Sequence, residues 1–579
     1  MSHNDEVAAR LEEFADLLAA KGVEYKPRAY RRAAENIREH PAAIEGLAAE
    51  GESAVAEIDA VGDAISSKVV EYFETGEIEE LEDLREELPV EMDALTRVEG
   101  VGPKTVGTLY EALEIQTLDD LEAAAEAGEI QEIKGFGAKT EGNILDGIDF
   151  ARQASKRQLL GDALPRGEAV RSYLTDVDAV TRCELGGSLR RFRPTIGDVD
   201  VLAASDDPEA VVDAFTDWRD RATVIEAGTS KASLRVEGVR VDLRVVDPGE
   251  FGATLQYFTG SKDHNVALRN RAIDRELKMN EYGVFDVSDA DDPDAGQRVG
   301  ERVAGETEEG MYEALSLPWI PPELRANRGE IEAAAKGALP TLVTTDAIRG
   351  DLHLHTEWSD GVNTVAEMVE GAAAFGHEYL CLTDHATGPG TVGGIGLADA
   401  ELREQRAEIE DVAADAEIEV FAGVEANIGA DGSISVGEEL LAELDLVVAS
   451  PHAALDGDGT DRLVAAAEHP EVDIIGHPTG RRLNDRSGLE VDVERLASAA
   501  ADAGTALEIN ANPQRLDLAG RRVQTALGQG ATITINTDAH RPASYELIRY
   551  GVQTARRGWA EADDVLNARD ADEIRSFRT

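Results

Sequence analysis

Cysteine is almost absent from this chain of 579 residues: Cys183 and Cys381 stand far apart and match neither a disulfide framework nor a zinc finger. That excludes a disulfide-stapled secreted domain and fits a reducing cytoplasm. No apolar run is long enough to span a membrane, and the polar start M-S-H-N-D-E-V-A-A-R lacks a signal-peptide pattern. A cytoplasmic location without membrane association is therefore expected. Aromatic residues are few, at 5%, but a hydrophobic content of 42% supplies a core for each of several domains. Basic residues are scarce, with 56 Lys and Arg against 116 Asp and Glu, a formal net charge of −60. Such a balance argues against a globally basic face for phosphate backbones. The acids are spread along the chain rather than gathered in a tail, and Arg outnumbers Lys. A halophilic cytoplasm favours that pattern, because molar salt screens self-repulsion. Phosphate sites, if present, must be local.

What is present begins with Gly186 to Leu202, G-G-S-L-R-R-F-R-P-T-I-G-D-V-D-V-L. Side chains alternate faces on a strand, so Val199 and Val201 should enter the core while Asp198 and Asp200 share one open face. Adjacent carboxylates repel unless a cation lies between them, and oxygen ligands beside phosphates suit Mg²⁺. The Gly-Gly-Ser and Arg-Arg upstream offer N–H groups, a hydroxyl and cations to phosphates. A later run, G-V-R-V-D-L-R-V-V, alternates strictly, with Val239, Val241, Leu243 and Val245 on one face and Arg240, Asp242 and Arg244 on the other. Asp242 is the natural third carboxylate; a salt-bridged structural Asp is the alternative.

Upstream, residues 1–55 read as amphipathic helices, with Val7, Leu11, Phe14, Leu17 and Leu18 at helical spacing and K-P-R-A-Y-R-R-A-A-E-N-I-R a local basic patch. Three copies of an apolar-x-Gly/Val-Gly turn follow, at Ile58–Ile65, Val98–Thr105 and Ile133–Thr140. Glycine permits the tight turn, and the next helix points its N-terminal N–H groups at a phosphate. Pro103 suits a first helical turn. The repeats resemble helix-hairpin-helix modules, which grip DNA backbones without reading sequence; Gly62, Gly100, Gly102, Lys104, Gly135, Gly137 and Lys139 are the positions involved. Lys68, soon after the first hairpin, could form a Schiff base with an opened sugar.

G-G-S-L-R-R, G-D-V-D-V-L, V-D-L-R and Y-F-T-G-S-K-D-H-N-V-A-L-R (Tyr257 to Arg269), behind a helix-hairpin-helix region, resemble the X-family DNA polymerases over roughly residues 1–320. The resemblance implies that Asp198, Asp200 and Asp242 are catalytic and hold two Mg²⁺ ions. It implies that Arg157, Gly187, Ser188 and Arg191 hold a triphosphate. Tyr257, Phe258 and Gly260 would sit at the sugar, and Asn265 and Arg269 along the minor groove of the nascent pair. Lys68 falls where the family's lyase lysine lies, but a second lysine common there is Ala64 here. The family usually has Gly after the paired arginines and Glu two residues later; here they are Phe192 and Pro194.

From Arg349 onward the histidines take over. Seven apolar runs each precede a polar end or a helix: G-D-L-H-L-H, Y-L-C-L-T-D-H, V-F-A-G-V-E, L-V-V-A-S-P-H, V-D-I-I-G-H-P, A-L-E-I-N-A-N and T-I-T-I-N-T-D-A-H. Repeated strand–helix units predict a parallel barrel with its chemistry at the C-terminal strand ends. His353, His355, Asp360, His385, Glu425, His452, His477, Asp538 and His540 lie there, too many ligands for one ion. Mixed His and carboxylate ligation favours Zn²⁺ or Mn²⁺ over Mg²⁺. His3, His40, His377 and His469 have no such placement. This half resembles the PHP (polymerase and histidinol phosphatase) domain, which implies up to three ions and metal-assisted phosphoester hydrolysis.

The expected fold is multidomain: a helical helix-hairpin-helix region, an α/β nucleotidyltransferase palm with a thumb, and a distorted (β/α)7 PHP barrel. Expected boundaries are a lyase-like domain at 1–90, fingers at 91–156, palm at 157–260, thumb at 261–322, linker at 323–348 and the PHP domain at 349–579. The expected activity is gap-filling DNA repair synthesis with 3′–5′ exonuclease, acting as a monomer on gapped or nicked DNA with dNTPs. Alternatives are a repair phosphoesterase whose palm only binds DNA ends, a break-binding scaffold with both sites idle, and a nucleotidyltransferase acting on RNA or protein.

Overall fold

The computed structural model describes residues 3–577 except 24–25, 40–43, 59, 97, 99–100, 138–139, 143, 146–147, 149–156, 219–222, 237–238, 291, 294 and 389–394. The chain forms two compact units, residues 1–157 with 484–486, and residues 158–483 with 487–579.

The first unit is helical. Val7, Leu11 and Phe14 recur every three or four residues along His3–Ala20 and are fully buried, as an amphipathic helix requires. Short helices alternate with tight turns: Glu52–Val55 precedes Asp63–Thr75, and Met92–Leu95 precedes Pro103–Leu113 with its proline in the first turn. Thr117 and Asp120 close a capping box on Leu118–Glu126.

The second unit opens on a five-stranded sheet in the order Arg182–Leu185, Val199–Ala204, Val239–Val246, Lys231–Val236, Thr223–Ala227. Val199–Ala204 runs parallel to Val239–Val246 and antiparallel to Arg182–Leu185. Its odd-numbered valines, Val199 and Val201, are buried, so the carboxylates of Asp198 and Asp200 take the opposite face. Beyond Phe251–Thr259 and Lys262–Ile273, a three-stranded antiparallel sheet of Leu277–Asn280, Gly283–Asp286 and Glu301–Ala304 forms the thumb. Residues 323–336 pack onto it: Leu324 and Arg325 are fully buried, and Arg325 Nη1 reaches Glu308 Oε1 at 2.6 Å.

Seven parallel strands then follow in sequence order: Gly350–Asp351, Tyr379–Leu382, Glu419–Asn427, Leu446–Ser450, Ile474–Ile475, Ala506–Asn510 and Ile533–Asn536. The first edge meets the last through His355 N–H to the Ala539 carbonyl (2.8 Å) and Asp538 N–H to the His353 carbonyl (3.0 Å). The barrel is thus nearly closed, and its strands are near-continuously buried as helix-covered parallel strands must be. Leu516 and Tyr550 of the barrel pack into the palm's own core. The expected fold class is borne out.

Candidate functional site

Sheet register builds the first site. Asp200 and Asp242 are direct partners on neighbouring parallel strands, and Ser233 is the antiparallel partner of Asp242. Ser233 donates its hydroxyl to Asp242, and Arg240 Nε lies 2.9 Å from both Asp242 oxygens. Burial, then the charges of Asp198 and Asp242, push Asp200 up to about 7. Asp200 under that penalty, with Asp242 as its partner across the sheet, fits a divalent cation, which would remove it. Gly187 adopts φ +60, and a Cβ there would stand 2.0 Å from Asp200 Oδ2, so backbone reaches the acid only because no side chain intervenes.

The other predicted residues of this site distribute unevenly. Ser188 lies in the short helix Gly187–Arg190, and the next residue, Arg191, donates to the Thr259 carbonyl beside Gly260. The rings of Tyr257 and Phe258 meet edge to face at 5.3 Å, and Arg244 covers Phe258 at 4.3 Å. Asn265 is turned inward: it donates to the Tyr257 carbonyl and accepts from Gln256, both at 2.8 Å. Arg269 Nε reaches the Asn265 carbonyl at 3.4 Å. Arg157 belongs to the first unit, where its carbonyl accepts from Asn484. Phe192 sits at φ +48, left-handed backbone of the kind glycine favours, while its ring packs against the palm core. The Pro194 carbonyl accepts the Leu160 N–H, and the chain then continues into a two-residue ribbon, Thr195–Ile196, against Gln158–Leu159.

The second site is assembled at the C-terminal ends of the barrel strands. Glu425, fully buried, is its hub: His385 Nδ1 lies 2.6 Å away, His477 Nε2 3.1 Å, and His353 and His452 Nε2 each 3.3 Å. His355 bridges to a second group, with Nε2 3.1 Å from Asp538 and Nδ1 3.7 Å from Asp360. Asp360 also stands 3.4 Å from His385 and 3.3 Å from His540. Three overlapping sets have metal-ligand spacing: His355, Asp360, His385 and His540; His353, His355 and Glu425; His385, Glu425 and His452. All nine residues named from the sequence therefore converge. His353 Nε2, both nitrogens of His355, His385 Nδ1, His452 Nε2 and both oxygens of Glu425 are buried without a well-formed hydrogen bond. Buried polar atoms left so cost about 1–3 kcal/mol each. That orphaned donor set fits several metal ions of the kind that accept nitrogen and oxygen ligands together.

Glu508 was missed. It accepts from His353 Nδ1 at 2.7 Å and from the His477 N–H at 2.6 Å. Its signal was available: an ionisable residue within A-L-E-I-N, a strand buried at every position. Asn427 likewise holds His452 Nδ1 at 2.8 Å. His377, by contrast, packs against Tyr545 with ring centroids 5.4 Å apart, and burial lowers it to about 4, a structural role.

In the helical unit, Gly62 and Gly102 immediately precede Asp63–Thr75 and Pro103–Leu113 at ordinary φ of −90° and −84°, and a Cβ on either would meet nothing within 4 Å. Nothing within the chain demands glycine there, which leaves room for an external group against the helix start. Lys104 follows in the first turn of the second helix, and Gly135 and Gly137 flank the third turn; Gly100 and Lys139 lie outside the described residues. Lys68 pairs with Glu80 at 2.6 Å. Burial would lower its amine, but Glu80 and Tyr30 outweigh it and raise it, holding the amine protonated.

Four family models match: a helix-hairpin-helix domain over residues 2–78, a SAM-like helix-hairpin-helix tandem over 92–149, the DNA polymerase beta thumb over 254–326, and the PHP domain over 351–512. The DNA polymerase/3′-5′ exonuclease PolX of Bacillus subtilis (strain 168) is 33% identical over 583 residues, covering 99% of each chain. DNA polymerase lambda of Rattus norvegicus is 23% identical over 343 residues, 56% of each chain. A probable phosphatase of Thermoanaerobacter sp. (strain X514) is 29% identical over 244 residues, 39% of this chain and 93% of its own.

Proposed function

We propose a two-site DNA repair enzyme, from the premise that this chain belongs to the X-family DNA polymerases with a C-terminal PHP domain, the PolX family. It is a DNA polymerase and a 3′–5′ exonuclease. The observation that carries the proposal is that one compact unit holds both Asp200 and Asp242, registered across two parallel strands with Asp198 just ahead of the first, and a His/carboxylate cluster at the barrel's strand ends.

At the palm, Asp198, Asp200 and Asp242 would hold two Mg²⁺ ions, which supply activation of the primer 3′-OH and charge neutralisation at the departing pyrophosphate. Asp242, tethered by Ser233 and Arg240, would assist deprotonation of the 3′-OH. Gly187 brings backbone beside Asp200, and Ser188 and Arg191 would bind the triphosphate. Tyr257, Phe258 and Gly260 would set the sugar's seat, with Asn265 bracing the Tyr257 backbone and Arg269 placed toward the minor groove. Gly62, Gly100, Gly102, Lys104, Gly135, Gly137 and Lys139 would take the phosphates of gapped or nicked DNA.

At the barrel, His353, His355, Asp360, His385, Glu425, His452, His477, Asp538 and His540 would hold up to three Zn²⁺ or Mn²⁺ ions, which supply a nucleophile from water and stabilise the leaving oxygen. Glu508 orients His353, and Asn427 orients His452. The work would divide near the expected boundaries, lyase-like 1–90, fingers 91–156, palm 157–260, thumb 261–322, linker 323–348 and phosphoesterase 349–579, with residues 323–336 packed onto the thumb rather than serving as free linker. Base excision repair in a salt-rich cytoplasm, as a monomer, is the setting that the acidity and substrate class favour. Lys68 serves a lyase step only where Glu80 yields it.

The test is a one-nucleotide gapped duplex with each dNTP in turn, in high KCl. Templated single-nucleotide insertion, and digestion of the same primer without dNTPs, is the result expected. Digestion without insertion leaves a phosphoesterase whose palm only binds ends.

A further inference from the structure

In a chain of net charge −60, one region of the larger unit gathers several arginines. Arg191 and Arg193 follow the palm helix Gly187–Arg190, Arg328 precedes Glu330–Lys336, Arg481 follows barrel strand Ile474–Ile475, and Arg557 ends Ile548–Arg557. A backbone contact joins two of them, and others are held by backbone carbonyls nearby. Arg328 Nη2 donates to the Arg557 carbonyl at 2.9 Å, while its Nε is buried with no hydrogen-bond partner. Arg481 Nε donates to the Arg515 carbonyl at 2.8 Å, and its Nη2 donates to the Leu516 carbonyl.

Among the described residues, Arg193, Arg328, Arg481 and Arg557 have no carboxylate partner at ion-pair distance. Glu330 is the acid whose charge reaches Arg328, and it is committed to His264 and to the Asn327 and Arg328 N–H groups. Asp517 plays that part for Arg481; its Oδ2 accepts from Thr479 and its Oδ1 is buried without a hydrogen-bond partner. Burial, then Arg193, Arg328, Arg191 and Arg481, pull Arg557 down to about 9. Mutually repelling guanidinium groups without ion-pair partners suit an anion.

The ends of the line matter most. Arg191 is fixed to the Thr259 carbonyl on the palm side. Arg515, whose carbonyl holds Arg481, places its own Nε 3.6 Å from Asp538 Oδ2 in the barrel cluster. Arginines drawn from separate elements and ending at both sites suit a row of phosphates better than a single one.

We propose that this arginine line is a phosphodiester track that carries the single-stranded 3′ end of a primer between the palm carboxylates and the barrel cluster. It rests on the two-site reading above. It binds backbone and not bases, so it is indifferent to sequence. Free pyrophosphate offers the same chemistry and is separated from a strand by the test.

The test is binding without turnover by the full chain. The probe is a gapped duplex whose primer ends in four mispaired nucleotides joined by nuclease-resistant phosphorothioate bonds, compared with its fully paired counterpart. Anisotropy is followed across a KCl series. Arg557→Gln and Arg481→Gln should each flatten the slope of log Kd against log [KCl] for the frayed duplex by about 0.7, and weaken the paired duplex less. Arg557→Lys, which keeps the charge, should restore the slope, separating lost charge from lost folding. Equal losses for the two duplexes, or none for either, overturn the track. So does full competition by pyrophosphate without dependence on frayed length, which marks a free-phosphate site. Wild-type protein that neither extends nor digests overturns the two-site reading instead, whereas a wild type with both activities and no frayed-end slope overturns the track alone.

Discussion

Glu508 decides which nitrogen His353 turns toward the metal cluster, because its carboxylate takes the Nδ1 side at 2.7 Å. Removing such a partner costs about 10–100-fold in metal affinity or activity. Glu508→Gln should therefore lower 3′ digestion and metal affinity by that order in a chelator competition, with gap filling retained; unchanged metal affinity would count against the orienting role. Gly187 is the matching case in the palm. A Cβ 2.0 Å from Asp200 Oδ2, on left-handed backbone, must displace the acid, so Gly187→Ala should reduce insertion to background and leave digestion intact in a paired assay. At this scale the sequence was legible wherever a residue type is costly without a ligand. Histidines at strand ends and D-x-D announce themselves. Glu508 did not, since one acid inside an apolar strand names no partner until the barrel brings His353 to it. Phe192 was legible only as a departure; its φ of +48 shows what the position demands, and packing of its ring supplies the compensation.

Elements are tied together by a few buried polar hubs, and Glu308 is the clearest. It accepts from Arg190 at 2.8 and 3.0 Å, from Arg325 at 2.6 Å and from Trp319 at 2.7 Å, joining the palm's short helix to the thumb and the segment after it. Burial alone would raise this carboxyl, but Arg325 and Arg190 outweigh it and hold it at about 2, against an ordinary 4.5. A depressed folded-state value means stability that is full above about pH 4.5 and drains as pH falls toward about 2. The shift corresponds to a few kcal/mol. Glu308→Gln should destabilise the unit by about 3–5 kcal/mol near neutrality, and the gap from wild type should narrow in acid denaturant titrations below pH 4. A gap independent of pH would mean that the ion pairs contribute little. None of this was legible beforehand: residues 323–348 read as a linker, because long-range pairing of Arg325 with Glu308 leaves no periodic trace.

For the whole molecule, strand-and-helix rhythm, glycine turns and ligand spacing sufficed to expect the helical region, the palm with its thumb and the seven-stranded barrel. What they could not carry was juxtaposition: Leu516 and Tyr550 of the barrel lie in the palm's core. The central claim is that synthesis and digestion belong to separate sites on one chain. It is tested most directly by measuring gap filling and 3′ digestion side by side for Asp198→Ala and His355→Ala, each confirmed folded by its thermal transition. The account predicts that Asp198→Ala loses insertion and keeps digestion while His355→Ala does the reverse; loss of both activities in folded Asp198→Ala protein would contradict it.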